Sequence, residues 1–130
     1  MYVFFDKIVH SKKLSPIMMN NYFIILASGQ SKRFNSPKPK QFIKYKNKAL
    51  FEHSIDKALK SKLFRKIILV TNDKKQIKKK YSKNVLIIKG GKERSDSSLM
   101  GLKFIKKYKP NNVLIHDAAR PNFTIKLLKI

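Results

Sequence analysis

The sequence predicts an α/β domain: a mostly parallel sheet with helices on both faces. Three observations carry this. Short, uniformly apolar runs recur at four places along the chain. Stretches with apolar residues at helical spacing separate them. Three of the four Arg, the four Gly and Asp117, scarce types in a Lys-dominated composition, fall in or beside the stretches after three of those runs.

Tyr22-Phe23-Ile24-Ile25-Leu26-Ala27 reads as the first strand, since a continuous apolar run is what a strand buried on both faces needs. Ser28 to Lys40 reads as a loop, kept from helix by Pro37 and Pro39. Between Leu50 and Leu63 the residues Phe51, Ile55, Ala58, Leu59 and Leu63 recur at helical period. Ile67-Ile68-Leu69-Val70 is the second strand. Asp73 to Ser82 reads as a short, very basic helix capped by Asn72 or Asp73. Val85-Leu86-Ile87-Ile88 is the third strand, ended by Gly90-Gly91. Arg94 to Tyr108 reads as a helix with Leu99, Leu102, Ile105 and Tyr108 on one face and Asp96 suited to its N-terminal dipole. After the break at Pro110, Val113-Leu114-Ile115 forms the fourth strand and opens onto His116-Asp117. Pro121 follows, and Thr124 is placed to cap a last helix. Residues 1–19 show no periodicity and read as a leader with no part in the fold. Residues 20–130 read as one domain.

Composition narrows the function. The 130 residues hold 31 Lys plus Arg against 7 Asp plus Glu, a formal net charge of +24. A charge of that size points first to a nucleic-acid partner. Yet 27 of the cations are Lys, spread over nearly every segment, and only four are Arg. A small polyanion such as a nucleotide fits the same field, so nucleic acid is not expected as the main partner. There is no Cys, which excludes disulfides, thiolate metal sites and a thiol nucleophile. No apolar run approaches the roughly 20 residues of a membrane span, and the apolar start is cut off by Asp6 and Lys7. A cytoplasmic protein without a membrane partner is expected.

In parallel sheets ligands bind beyond the carboxyl ends of the strands. The loops after strands one, three and four are therefore expected to share one edge. In the first, the small residues Ala27, Ser28 and Gly29 let the backbone approach a phosphate, and Arg33 and Lys40 add cations at the same mouth. It is neither a dinucleotide fingerprint nor a Walker A loop. In the second, Gly90 and Gly91 allow a close path, and Ser95, Ser97 and the N–H groups of the helix start can read a base edge or ribose; a simple turn and cap reads equally well. In the third, Asp117 at a strand end can hold Mg²⁺ between phosphate oxygens, and Arg120 lies three residues on, within reach of a second phosphate. His116 is read as a structural histidine rather than a ligand or base.

Together the segments Ala27-Ser28-Gly29 with Arg33 and Pro39-Lys40-Gln41, Gly90-Gly91-x-x-Arg94-x-x-Ser97, and His116-Asp117-Ala118-Ala119-Arg120-Pro121 resemble the 2-C-methyl-D-erythritol 4-phosphate cytidylyltransferase family. Leu50-Phe51-Glu52-His53-Ser54 looks like the family's helix as well. The resemblance implies a Rossmann-like nucleotidyltransferase sandwich, incomplete here at its C-terminus, that joins CTP to a polyol phosphate with release of pyrophosphate. It implies that Arg33 and Lys40 bind the triphosphate and stabilise the transition state. Ala27, Ser28, Gly29, Gly91, Arg94 and Ser97 would line the nucleotide pocket, Asp117 would coordinate Mg²⁺, and Arg120 would face the methylerythritol phosphate.

Ser28 stands where the family usually has Ala, Ser31 where a second Gly is common, and Lys92 where some members have an acid. Family members are longer and form homodimers through an arm that would lie beyond this chain. The expectation is that these 130 residues hold the nucleotide half of the site and lack part of the second-substrate half. Rival readings are a ribitol 5-phosphate type of cytidylyltransferase, disfavoured by Ala119; an inactive remnant; and a basic RNA-binding module, disfavoured because no aromatic-plus-basic stacking motif is present.

Overall fold

A computed structural model describes the backbone of residues 2–5 and residues 20–28 and 39–120. Strands β1 (Tyr2–Phe5), β7 (Asn112–Asp117), β2 (Asn21–Ala27), β5 (Lys66–Thr71) and β6 (Val85–Ile88) lie in that order across one sheet. The last four are parallel to their neighbours, and β1 runs antiparallel along β7, from Tyr2 opposite Ile115 to Phe5 opposite Asn112. A two-stranded hairpin, β3 (Lys44–Tyr45) with β4 (Lys48–Ala49), precedes helix α1 (Leu50–Ser61). Helix α2 (Arg94–Ile105) links β6 to β7.

The four apolar runs are the four parallel strands, and β2 is buried along its whole length because it has a strand on each side and a helix on each face. Side chains alternate between faces along a strand. Phe23, Ile25 and Ala27 accordingly join Phe51, Ile55 and Ala58 of α1 in one core layer. Tyr22, Ile24 and Leu26 join Ile105 and the partly buried Leu102 of α2 in the other. Strand order reverses at β2: β5 and β6 lie to one side and β7 to the other. The crevice at the carboxyl ends of β2 and β7 is therefore the topological switch point, where open α/β sheets bind ligands.

Four details differ from the sequence reading. Tyr2–Phe5 belongs to the sheet rather than lying outside it. Its aromatic and β-branched residues suit an edge strand, and β7 would otherwise present an open edge. Asp73 to Ser82 is not an α-helix but two 3-10 turns, Lys74–Gln76 and Lys79–Tyr81. In a helix, Lys74 would face Lys78 and Lys75 would face Lys79, both repulsive. The segment instead hangs on buried Tyr81, whose hydroxyl donates to Glu52 and Asp56 of α1 at 3.3 and 3.0 Å. Leu99 is not on the buried face of α2 but 51% exposed. The helix meets the sheet along Ser97, Gly101 and Ile105, and Gly101 brings it so near that an added Cβ would lie 3.0 Å from Ile24 Cγ2. The α-helix also ends at Ile105. Tyr108 follows in a 3-10 turn and stacks on Tyr22 at 5.6 Å between ring centroids. Pro121 and the helix expected after Thr124 lie outside the described residues.

Candidate active site

The end of β2 is the fastening point for every loop on this edge. The carbonyl of Leu26 accepts the N–H of Ala118 at 2.9 Å, which ties down the turn after β7. The carbonyl of Ala27 accepts Nε2–H of Gln41 at 3.1 Å, which ties down the turn carrying Lys40. Ser28 Oγ shares a hydrogen bond of 2.6 Å with Ser97 Oγ in the first turn of α2. Ser97 Oγ also accepts the N–H of Gly91 at 3.1 Å. Three consecutive residues thus hold three separate segments.

Ser28, Asn72, Lys89, Gly90, Gly91 and Lys92 line an open cleft of about 290 Å³. Gly90 is buried at its base, and a Cβ there would lie 2.5 Å from Ser28 Cβ. The missing side chains of Gly90 and Gly91 thus make room for Ser28, Ser97 and Asp96 to pack close beside the cleft.

Asp117 is the last residue of β7, opposite Leu26 in the parallel register. Its Oδ1 accepts Nε–H of Arg94 at 2.8 Å, and its Oδ2 lies 3.9 Å from Nε of Arg120. Arg94 and Asp117 are 44% and 28% exposed, so water weakens the pair to at most about 1 kcal/mol. Exchanging either partner for a phosphate or a cation is correspondingly cheap. Arg120 is 78% exposed at the outer rim.

Ala27, Ser28, Lys40, Gly91, Arg94, Ser97, Asp117 and Arg120 therefore occupy one edge, joined by the bonds just described. Gly29 and Arg33 lie outside the described residues. Arg65, the one Arg without a motif around it, sits at the opposite end of the sheet, where its backbone N–H donates to Asn21 O at 2.8 Å.

The sequence and the fold match known proteins. A family model described as IspD, 2-C-methyl-D-erythritol 4-phosphate cytidylyltransferase, matches residues 22–129, most of the chain. The chain belongs to the 2-C-methyl-D-erythritol 4-phosphate cytidylyltransferase family. It is 56% identical over 112 residues to the bifunctional enzyme IspD/IspF of Pelagibacter ubique, covering 85% of this chain and 30% of that one. It is 41% identical over 108 residues to the cytidylyltransferase of Thermosipho melanesiensis, covering 78% and 48%. The solved bifunctional IspDF of Campylobacter jejuni superposes with a TM-score of 0.72 at 29% identity, covering 84% of this chain and 28% of that one. The chain thus spans about half the length of the single-function relative and under a third of the bifunctional ones.

Within this family member His116 is structural, as its sequence suggested. It is 6% exposed, and its Nε2–H donates to the carbonyl of Arg120, closing the turn that displays Asp117. Burial, the largest influence, holds its imidazolium below the usual 6.5, against the opposing pull of that hydrogen bond. As pH falls through and below about 6.5 the unfolded chain binds this proton before the folded one does, so acidification removes stability. Thermal midpoints of the chain should fall more steeply between about pH 7.5 and about pH 5 than those of His116→Gln. Parallel slopes would contradict this.

Asn72 was missed as a site residue, because Asn after a strand suggests a helix cap. Its Oδ1 instead accepts the N–H of Gly90 at 3.1 Å, and its Nδ2–H points to Ser28 O at 3.5 Å, the long limit of a hydrogen bond. The available signal was its position directly after β5, the parallel neighbour of β2, which puts it on the same edge.

Proposed function

We propose that this chain supplies the CTP-binding part of a cytoplasmic cytidylyltransferase that joins CTP to 2-C-methyl-D-erythritol 4-phosphate, giving CDP-methylerythritol and pyrophosphate. The observation that carries the reading is the convergence of three loops on residues 26–28, which brings the segments carrying Lys40, Arg94, Asp117 and Arg120 to the same sheet edge as the cleft at Gly90 and Gly91.

In this reading the base and ribose occupy the cleft beside Ser28, Gly91 and Ser97, and the triphosphate runs toward Lys40 and Arg33. A phosphate oxygen of the polyol phosphate attacks the α-phosphorus in line. The bond from that phosphorus to the bridging oxygen breaks, and pyrophosphate leaves. No enzyme nucleophile is required; the side chains orient the reactants and neutralise developing negative charge.

Mg²⁺ fits Asp117. Among the described residues no three His, Cys, Asp or Glu cluster, so there is no all-protein cage. Mg²⁺ in phosphoryl-transfer sites uses one or two carboxylates and completes its shell with phosphate and water, which one accessible carboxylate at the strand edge can serve. Bound there, the ion would neutralise phosphate charge. Arg94 would then turn from Asp117 to the nucleotide, and Arg120 to the phosphate of the second substrate.

Isothermal titration with CTP, UTP and ATP, each with and without Mg²⁺, tests the reading. Saturable binding of CTP that needs Mg²⁺ and exceeds that of UTP and ATP is expected. Weak binding of all three that fades alike with salt, alongside tight binding of RNA, would favour a generic polyanion surface and overturn the reading.

A further inference from the structure

Lys40 is exposed, yet the proposed chemistry needs its ammonium at a fixed place. It sits in a single 3-10 turn, Lys40–Phe42. Two hydrogen bonds close that turn and two further contacts hold it to α1. Phe42 N–H donates to Pro39 O at 3.0 Å, and Ile43 N–H to Lys40 O at 3.1 Å. Leu50 N–H donates to Ile43 O at 3.0 Å, and the Phe42 ring packs edge-on against Phe51 at 5.7 Å. These bonds fix Lys40 relative to α1, which itself packs on β2, and Phe42 shares that core layer with Ala27.

Gln41 makes the other connection. Its side chain is in a residue only 4% exposed, and a buried amide is costly unless it is bonded. Its Nε2–H donates to the carbonyl of Ala27, the last residue of β2 and the one just before Ser28. This hydrogen bond ties the Lys40 turn directly to the start of the first loop. A hydrophobic residue of the same length would fill the space without holding the distance. We infer that Gln41 is a positioning residue that acts through Lys40, aligning its ammonium with the nucleotide's phosphates. The inference rests on the CTP reading above and goes beyond it by assigning a role to a buried side chain.

A double-mutant cycle on the full chain tests this, with MgCTP affinity as the readout and thermal midpoint as the control. Gln41→Met keeps the volume and removes the donor; Lys40→Ala removes the group it is held to aim. Gln41→Met should weaken MgCTP binding by about fivefold to tenfold in the parent chain, the range of one net hydrogen bond. In the Lys40→Ala background it should weaken binding by less than about twofold, because residues acting as a unit are not additive. The same loss in both backgrounds, or none in the first, overturns the inference, since a merely structural amide would affect both alike. Gln41→Leu, similar in volume and without the donor, repeats the test should the Met variant not fold. If neither folds, Gln41 is structural and the inference fails. A parent chain that binds no MgCTP defeats the functional reading itself before any variant is compared, so the two failures are distinct.

Discussion

On the proposed cytidylyl-transfer reading, replacing Lys40 with alanine should lower whatever turnover the chain supports on the order of 10²–10³, the usual effect of removing one preorganised group that meets charge developing in the transition state. Negative charge grows on the oxygens about the α-phosphorus and on the departing pyrophosphate, and an ammonium already in place meets it without reorganisation. The backbone under Lys40 is held on both sides, by Phe42 against Phe51 and by Gln41 on Ala27 O, so only the side chain's own rotamers remain to be fixed when the nucleotide binds. Pyrophosphate release from CTP and methylerythritol phosphate, with parent and variant assayed side by side, reads the effect. Lys40→Arg should recover only part of the loss, because a planar fork places its charge differently from a compact ammonium. Stability should hardly change, since the side chain is exposed. Near-parental kcat in Lys40→Ala would remove Lys40 from the chemistry and leave the cleft as a binding site only.

The parallel strands were legible because each is a bare apolar run, and a strand buried on both faces admits little else. The shared edge followed from topology: loops after parallel strands must emerge together. Side-chain identity alone could not supply what depended on partners distant in sequence. Tyr81 looks like one more residue of a basic helix until its hydroxyl is seen bonded to Glu52 and Asp56. Leu99 fits a helical period with Leu102 and Ile105, yet α2 turns its small residues, Ser97 and Gly101, toward the sheet to come close to Ile24. Periodicity counts apolar residues and overlooks a contact made by the absence of a side chain. The β3–β4 hairpin was missed for a related reason. Its turn places Lys46 and Asn47 at φ of 49° and 64°, a left-handed conformation that glycine would have announced and lysine does not. The pairing of Asp117 with Arg94 joins two motifs 23 residues apart, each readable alone but not their contact.

Gly90→Ala should abolish the cleft and destabilise the fold together, though it adds a single methyl group. The added Cβ would lie 2.5 Å from both Cβ and Oγ of Ser28 and 2.7 Å from Ser97 Oγ, well inside contact distance. The backbone has little room to retreat, because the N–H of Gly90 is bonded to Asn72 and Ser28 begins at the fixed end of β2. Relief must come from parting Ser28 and Ser97, which breaks their 2.6 Å hydrogen bond and releases α2 from the first loop. Overpacking of this kind costs about 1–3 kcal/mol, and the lost bond adds about 1 kcal/mol. Urea denaturation should record the sum, and MgCTP affinity should fall by more than about tenfold because the opening between Ser28 and Gly91 is where the nucleotide would enter. A compensating change separates this cause from a general loss of fold. Ser28→Gly removes two of the three clashing atoms, so the double variant Ser28→Gly/Gly90→Ala should regain most of the stability while still lacking the Ser28–Ser97 bond. A single Gly90→Ala variant with parental stability and affinity would mean that the cleft floor yields easily, and that close backbone approach is not what this glycine provides.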